Sequence, residues 1–328
     1  MAEKLNSIDK AKVRKLYMRK DFPHVYGISI ARNRCTIKCR MCPMYTMPPE
    51  DMAITDEIMN LALDPIGDRD LNLEVSAFGE PFLHPNCDEY MFLTRKRAPK
   101  AEIVFVTNGT LLKKERCEKI VDSGIDIFQV SLDAGSPETY KWLTGSNNYD
   151  RVCRGLEELV GIRNKRGGTH LNIQTHIIGI KELEHEFDDF VEKWSKIVDQ
   201  AVVREYGNWG GRTDNNEVTP AKEEDIPAER YPCAWPWYAT KIEPNGDVVK
   251  CHQHTIGEKG DNESLGNLLE EDFLSIWHGD NLRRVRNKLL RNKHEDLRYC
   301  KDCNVWSLFY DIWDKEKLLG FMPTGKWE

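Results

Sequence analysis

No stretch of the 328-residue chain approaches the roughly 20 consecutive apolar residues that a bilayer crossing needs. The opening MAEKLNSIDKAK lacks the hydrophobic stretch of a secretory signal. Internal repeats and low-complexity tracts are missing too. An excess of basic residues is also lacking: 47 Lys and Arg stand against 54 Asp and Glu, a net charge of −7, which argues against a nucleic-acid backbone as partner. The two basic runs, 12–20 and 283–294, fall in helical patterns and read as solvated helix faces. These absences point to a cytoplasmic protein that acts on neither membrane nor nucleic acid. Hydrophobic residues at 40% and charged residues at 31% allow a sizeable core. Ten cysteines in that compartment stay reduced, so clustered thiols suggest metal ligation rather than disulfides.

Between residue 24 and about 206, β-rich runs alternate with helical patterns. The strands fall at 25–31, 71–78, 102–108, 127–133, 171–178 and 201–207, with helices near 55–63, 86–98, 111–123, 149–165 and 182–197. Nearly continuous apolar strands separated by helices indicate repeated β–α units around a parallel sheet. Six of them suit a partial (β/α)6 TIM-like barrel; a six-stranded Rossmann-type sheet is the other reading, although no G-x-G-x-x-G follows the first strand. The acidic, proline-broken segment 210–230 reads as a linker, and 1–23 as an N-terminal helical extension. Beyond it, YATKIEPNGDVVKC (238–251) carries a hairpin signal at Asn245-Gly246. A helical stretch over 272–291 and YCKDCNVW (299–306) follow. The expected division is a barrel over 24–209, a small cysteine-rich α+β domain over 231–305, and a C-terminal tail over 306–328. The aromatics of that tail, Trp306, Phe309, Tyr310, Trp313, Phe321 and Trp327, read as a packing strip.

The first strand runs into NRCTIKCRMCP, which sets Cys35, Cys39 and Cys42 in a C-x3-C-x2-C spacing. That position, the carboxyl end of a strand in a parallel sheet, is the ligand-bearing edge of such folds. A closed zinc site takes four ligands, and the nearest downstream histidine is His84. Three thiolates leave one iron of a cubane cluster open to a chelating ligand. A zinc knuckle completed from elsewhere, or free thiols, are the other readings of the triplet.

The triplet and its place resemble the radical S-adenosylmethionine (radical SAM) enzymes. The resemblance implies that the open iron holds the amino and carboxylate groups of S-adenosylmethionine. One-electron cleavage then gives a 5′-deoxyadenosyl radical that takes hydrogen from a substrate. Later motifs follow in that family's order. SAFGEPFLHP (76–85) is similar to its G-G-E motif, through Gly79 and Glu80. VFVTNGTLL (104–112) ends the third strand in a polar turn at Asn108. QVSLDAGSPETY (129–140) ends the fourth with Ser131 and Asp133, which look like the polar pair beside the ribose. Many relatives place an arginine where this chain has Thr144, so the carboxylate contact passes to Arg151 or Arg154.

Four further cysteines, Cys233, Cys251, Cys300 and Cys303, close a complete site, which spacing alone leaves open to zinc or to a fully ligated iron–sulfur cluster. The arrangement resembles the Twitch form of the SPASM extension, which implies one auxiliary 4Fe–4S cluster. Cys87, Cys117 and Cys153 lie in helical stretches and read as buried structural thiols. Among Twitch-bearing members the overall layout resembles sugar- and aminocyclitol-modifying enzymes. The expected activity is oxidation of a small polyol, sugar or aminocyclitol, with the auxiliary cluster accepting an electron. An external reductant such as flavodoxin or ferredoxin feeds the first cluster. Residues at the strand ends, Arg204 and Tyr206 with Glu205, Trp209 and His176, and the pair His252 and His254 beside Cys251, are the candidates for substrate contact or proton transfer. A peptide-modifying maturase of the same family is the second reading. A non-enzymatic iron–sulfur or zinc protein is the third, although an electron carrier has no use for an open iron.

Overall fold

The computed structural model describes residues 21–45, 51–210, 217–221, 230, 232–252 and 263–307. Strand β1 (Val25–Arg32) carries the short antiparallel β2 (Met52–Ala53) on its last two residues. Five more strands follow, each parallel to the one before: β3 (Asn72–Phe78), β4 (Glu102–Thr107), β5 (Ile127–Asp133), β6 (Asn172–Gly179) and β7 (Gln200–Glu205). The six parallel strands stand in sequence order, the arrangement of a partial (β/α)6 barrel. All of the expected strands of this region are found within two residues of their expected bounds.

Alternation along each strand sorts the side chains into two layers. Tyr26, Ile28, Ile30, Leu73, Val75, Ile103, Phe105, Phe128, Val130 and Ile173 are buried in one continuous hydrophobic cluster. They meet the helices α1 (Asp56–Leu63), α2 (Cys87–Arg97), α3 (Lys114–Asp122), α4 (Pro137–Thr144), α5 (Tyr149–Arg166) and α6 (Phe187–Trp194). The Tyr26 hydroxyl donates to the Ala62 carbonyl of α1 at 3.0 Å, and Phe105 stacks on Phe128 with centroids 5.7 Å apart. Each such ring contributes about 1.5–3 kcal/mol by burial. The alternate residues Gly27, Ser29, Glu74, Ser76, Gln129, Ser131, Gln174 and His176 point to the opposite, concave face.

The segment after the linker does not stand apart from the barrel. Helix α7 (Trp235–Tyr238) leads into β8 (Ala239–Ile242), which pairs in parallel with β1 from Val25↔Ala239 to Ile28↔Ile242. Strands β9 (Asp247–Val249) and β10 (Gly266–Asn267) extend the same sheet outward. The strand order is β10-β9-β8-β1-β3-β4-β5-β6-β7. Gly246, at φ +88°, makes the β8–β9 turn. The expected helix over 272–291 is two helices, α8 (Phe273–Trp277) and α9 (Asp280–Leu290). Phe273 meets Tyr26 and Phe22 at centroid distances of 4.9 and 5.1 Å, so α8 covers the back of β1.

Candidate active site between two groups of cysteines

Strand β1 delivers the first cysteine loop, and three neighbouring turns pin it. The Asn33 amide donates to the Phe78 carbonyl at 2.8 Å, and the Glu80 amide to the Arg34 carbonyl at 2.6 Å. Gly79 sits at φ +148°, and a Cβ there would lie 2.0 Å from the Arg34 carbonyl oxygen, so only glycine fits. On the far side the Lys38 and Arg40 amides donate to the carbonyls of Thr144 and Leu143, ending α4. The Asn108 side-chain amide donates to the Cys35 sulfur at 3.4 Å and to Thr36 Oγ1 at 3.0 Å. Cys35, Cys39 and Cys42 are all partly exposed. Burial raises Cys39 well above the ordinary thiol range, with Asp133, Cys42 and Cys35 adding to it. Cys35 is lifted by burial and by Glu80.

Glu80 is fully buried. Its carboxylate accepts from Phe82 N (3.1 Å), Thr107 Oγ1 (2.7 Å) and Asn108 N (2.8 Å). Burial lifts its carboxyl to about 6, against those three hydrogen bonds and Arg116. These donors brace the β3 and β4 turns under the cysteine loop through the carboxylate. Asp133 follows a register shift in β5 and adopts φ +61°. Its Oδ1 lies 3.1 Å from His176 Nε2, with both side chains nearly inaccessible and off a hydrogen-bonding axis. Ser131 is the cross-strand neighbour of His176. Arg151, expected at the cofactor carboxylate, is exposed on the outer side of α5, as is Arg154.

The second group assembles from three places: Cys233 ahead of α7, Cys251 just past β9, and Cys300 with Cys303 beyond α9. Burial raises Cys233 well above the usual range, with Cys303, Cys251 and Cys300 contributing next. Burial likewise lifts Cys300 to about 12, opposed chiefly by Lys250, and Cys303 to about 11, opposed in part by Arg230. Both groups therefore hold their thiols close enough to feel one another's charge. Among the described residues no three His, Cys, Asp or Glu side chains converge on a single-ion site. Gathered sets of three and four thiols fit cubanes, which spread their ligands over separate irons. Cys87 and Cys117 are fully buried and Cys153 nearly so, away from both groups.

A polar wall joins the two groups. On the concave face the register aligns Lys241, Gly27 and Glu74 across β8, β1 and β3. The His252 ring lies over Gly27: Nδ1 is 3.3 Å from Glu74 Oε2, Nε2 is 3.2 Å from the Thr240 carbonyl, and Trp235 packs alongside at 5.4 Å. Both ring nitrogens thus face oxygen acceptors, and the ring wedges between barrel and hairpin. Glu74 keeps 32% of its side chain accessible. Burial would raise its carboxyl, but His252, Arg204 and Ser76 outweigh this and hold it at about 2. Arg204, exposed on β7, reaches over β6 to donate to Gln129 Oε1 at 3.2 Å. Tyr206 is buried beyond the end of β7, Glu205 is exposed, and Trp209 meets Phe78 edge-on at 5.7 Å. His254, most of the linker and the tail aromatics after Trp306 lie outside the described residues. Glu74, and Lys241 with its buried neighbours Glu243 (2.8 Å from Lys241 Nζ) and Arg32 (4.0 Å from Glu243), escaped the sequence reading. The available signal was a charge inside an otherwise apolar strand, in LNLEVSAF and ATKIEP.

The architecture and the first cysteine loop agree with comparison to known families. The model of the radical SAM superfamily matches residues 30–193, half of the chain, and the chain belongs to that superfamily of enzymes. An iron–sulfur cluster-binding domain, SPASM, matches residues 233–304, which decides between zinc and iron–sulfur for the second group. The chain is 22% identical over 275 residues to the S-adenosyl-L-methionine-dependent 2-deoxy-scyllo-inosamine dehydrogenase of Niallia circulans, covering 83% of this chain and 89% of the relative. Its fold is similar to BtrN in complex with AdoMet and 2-DOIA (TM-score 0.59, 20% identity, 86% and 93% of the two chains). It is also similar to Streptococcus suis SuiB bound to the precursor peptide SuiA (TM-score 0.62, 19% identity, 84% and 69%). No helix among the described residues is long and apolar enough to cross a membrane.

Proposed function

We propose that this radical SAM enzyme oxidises a small polyol, sugar or aminocyclitol, with the electron from the oxidation leaving through the auxiliary cluster. The observation that carries the reading is the parallel pairing of β8 with β1, which seats His252, next to the ligand Cys251, on the barrel wall at Gly27. A substrate against that wall lies between the two groups of thiols. Cys35, Cys39 and Cys42 would hold the S-adenosylmethionine-binding cluster, which supplies hydrogen abstraction by a 5′-deoxyadenosyl radical. Its electron comes from an outside one-electron carrier such as flavodoxin or ferredoxin.

The chain's own residues account for binding. Glu74, kept ionised, accepts hydrogen bonds from hydroxyl or ammonium groups. Arg204, Gln129 and Gln174 add donors and acceptors on the same face. Asp133 and His176 stand nearer the first cysteine loop, through the effect of Asp133 on Cys39. A carbinol becomes a ketone by loss of a hydrogen atom, a hydroxyl proton and one electron, and Cys233, Cys251, Cys300 and Cys303 would hold the sink for that electron.

The test is anaerobic turnover of the reconstituted protein with a panel of polyols, sugars and aminocyclitols. Substrate-dependent 5′-deoxyadenosine together with a trapped carbonyl product in equal amount is the expected result. If every small carbinol leaves 5′-deoxyadenosine at its background level while peptides stimulate it, the peptide-modifying reading replaces this one. That second reading draws on the fold shared with the peptide-bound SuiB structure.

A further inference from the structure

The second group of thiols has a buried cation, Lys250, and a half-buried one, Arg230, beside it. Around the first, buried Glu80 and Asp133 raise the Cys35 and Cys39 thiols, while Arg34, Lys38 and Arg40 flank the same cysteines in the loop. Around the second, Lys250 directly precedes Cys251, and its side chain is 1% accessible. Its ammonium contacts Glu263, whose side chain is 22% accessible and which also accepts from the Arg298 amide at 2.7 Å. The counter-ion is therefore the better solvated partner, and water screens it more than it screens the cation. Arg230 approaches from another side: its guanidinium donates to the carbonyls of Cys300 and Lys301 and lies 5.3 Å over the Trp306 ring. Asp302 is the acid that faces Arg230.

We infer that Lys250 and Arg230 raise the reduction potential of the auxiliary cluster, and so favour it as the way out for the substrate's electron. Reduction adds one negative charge to the cluster, and a buried cation beside its ligands stabilises the reduced form. Net charge and hydrogen bonding around a cluster are the protein's principal means of setting its potential. A raised potential makes the auxiliary cluster a better acceptor for the one electron that a substrate radical loses. This rests on the electron-acceptor reading above, but its own test measures a potential rather than turnover.

The experiment is a redox titration of the auxiliary cluster, followed by electron paramagnetic resonance, in the full-length chain. Cys35, Cys39 and Cys42 are replaced by Ala so that one cluster reports. Lys250→Met and Arg230→Gln should each lower the midpoint, by about 59 mV for a tenfold change in the one-electron equilibrium. Lys250→Arg should retain the parent midpoint. Glu263→Gln, which removes the counter-charge, should raise it, an opposite sign that a packing defect does not produce. Unchanged midpoints in Arg230→Gln and Glu263→Gln overturn the inference even if Lys250→Met fails to hold iron. Unmoved midpoints, with substrate-dependent reduction of the auxiliary cluster in the chain that keeps Cys35, Cys39 and Cys42, would leave the electron-acceptor reading intact and remove only this role for the two cations.

Discussion

The imidazole of His252 occupies the space where Gly27 has no side chain: a Cβ at residue 27 would stand 2.9 Å from both Cε1 and Nε2 of the ring. The barrel and the auxiliary segment meet there at a contact with no slack. Gly27→Val should push His252 off Glu74 and cost about 1–3 kcal/mol, the usual range for overpacking. Background 5′-deoxyadenosine formation should survive, because the first cysteine loop is braced by β3, β4 and α4. Product formation should fall with the displaced hairpin. Equal loss of both in a fully iron-loaded variant would show that the seam does not position the auxiliary cluster.

The Asn108 side-chain amide donates to the Cys35 sulfur at 3.4 Å. Outer partners of metal ligands typically matter by 10–100-fold in affinity or activity. Asn108→Ala should weaken iron retention at the first site by roughly that factor, with the auxiliary site unaffected. Iron counted after gel filtration in the presence of a chelator decides the matter. Full retention would limit Asn108 to shaping the turn through Thr36 and Thr110.

The depressed Glu74 carboxyl has a signature in pH. Its ordinary value is 4.5 and the folded value about 2, so the folded state binds fewer protons than the unfolded one between those limits. The stabilisation from its partners is complete above pH 4.5 and disappears as pH falls toward 2. The difference in thermal midpoint between wild type and Glu74→Gln should accordingly be constant from pH 7 to 5 and shrink below 4.5. Taking the difference cancels acid loss of clusters common to both proteins. A gap that is flat through pH 3 would mean that His252 and Arg204 do not hold the carboxylate as described.

Much of this arrangement was readable from residue order. The six barrel strands announce themselves as apolar runs, and the β8–β9 turn as Asn245-Gly246. Helix α4 was passed over although Ser136, Pro137 and Thr139 spell out a capping box with proline at the first turn. Arg151 could also have been placed correctly: Tyr149, Val152, Cys153, Leu156, Leu159 and Val160 define the buried stripe of α5, which leaves 151 and 154 outside it. The pairing of β8 with β1 was not readable, because a parallel register between distant segments leaves no local period. The Lys241–Gly27–Glu74 row is a product of that register, and with it the place of His252 and the reach of Arg204.

The count of metal atoms tests the frame on which the rest depends. Seven thiols in two groups, three and four, fit two cubanes, and two cubanes contain about eight irons per chain. Replacing Cys35, Cys39 and Cys42 by Ala should leave about four, with matching sulfide, held by the remaining four cysteines. The converse variant, Cys300→Ala with Cys303→Ala, should lose the auxiliary cluster while keeping S-adenosylmethionine cleavage. It should form little oxidised product, since Arg230, Lys250 and the barrel wall would then surround no electron sink. Iron, sulfide and zinc measured after anaerobic reconstitution separate the outcomes. About four irons plus one zinc in the wild type would keep the radical chemistry and withdraw the acceptor, because zinc has no redox states to offer.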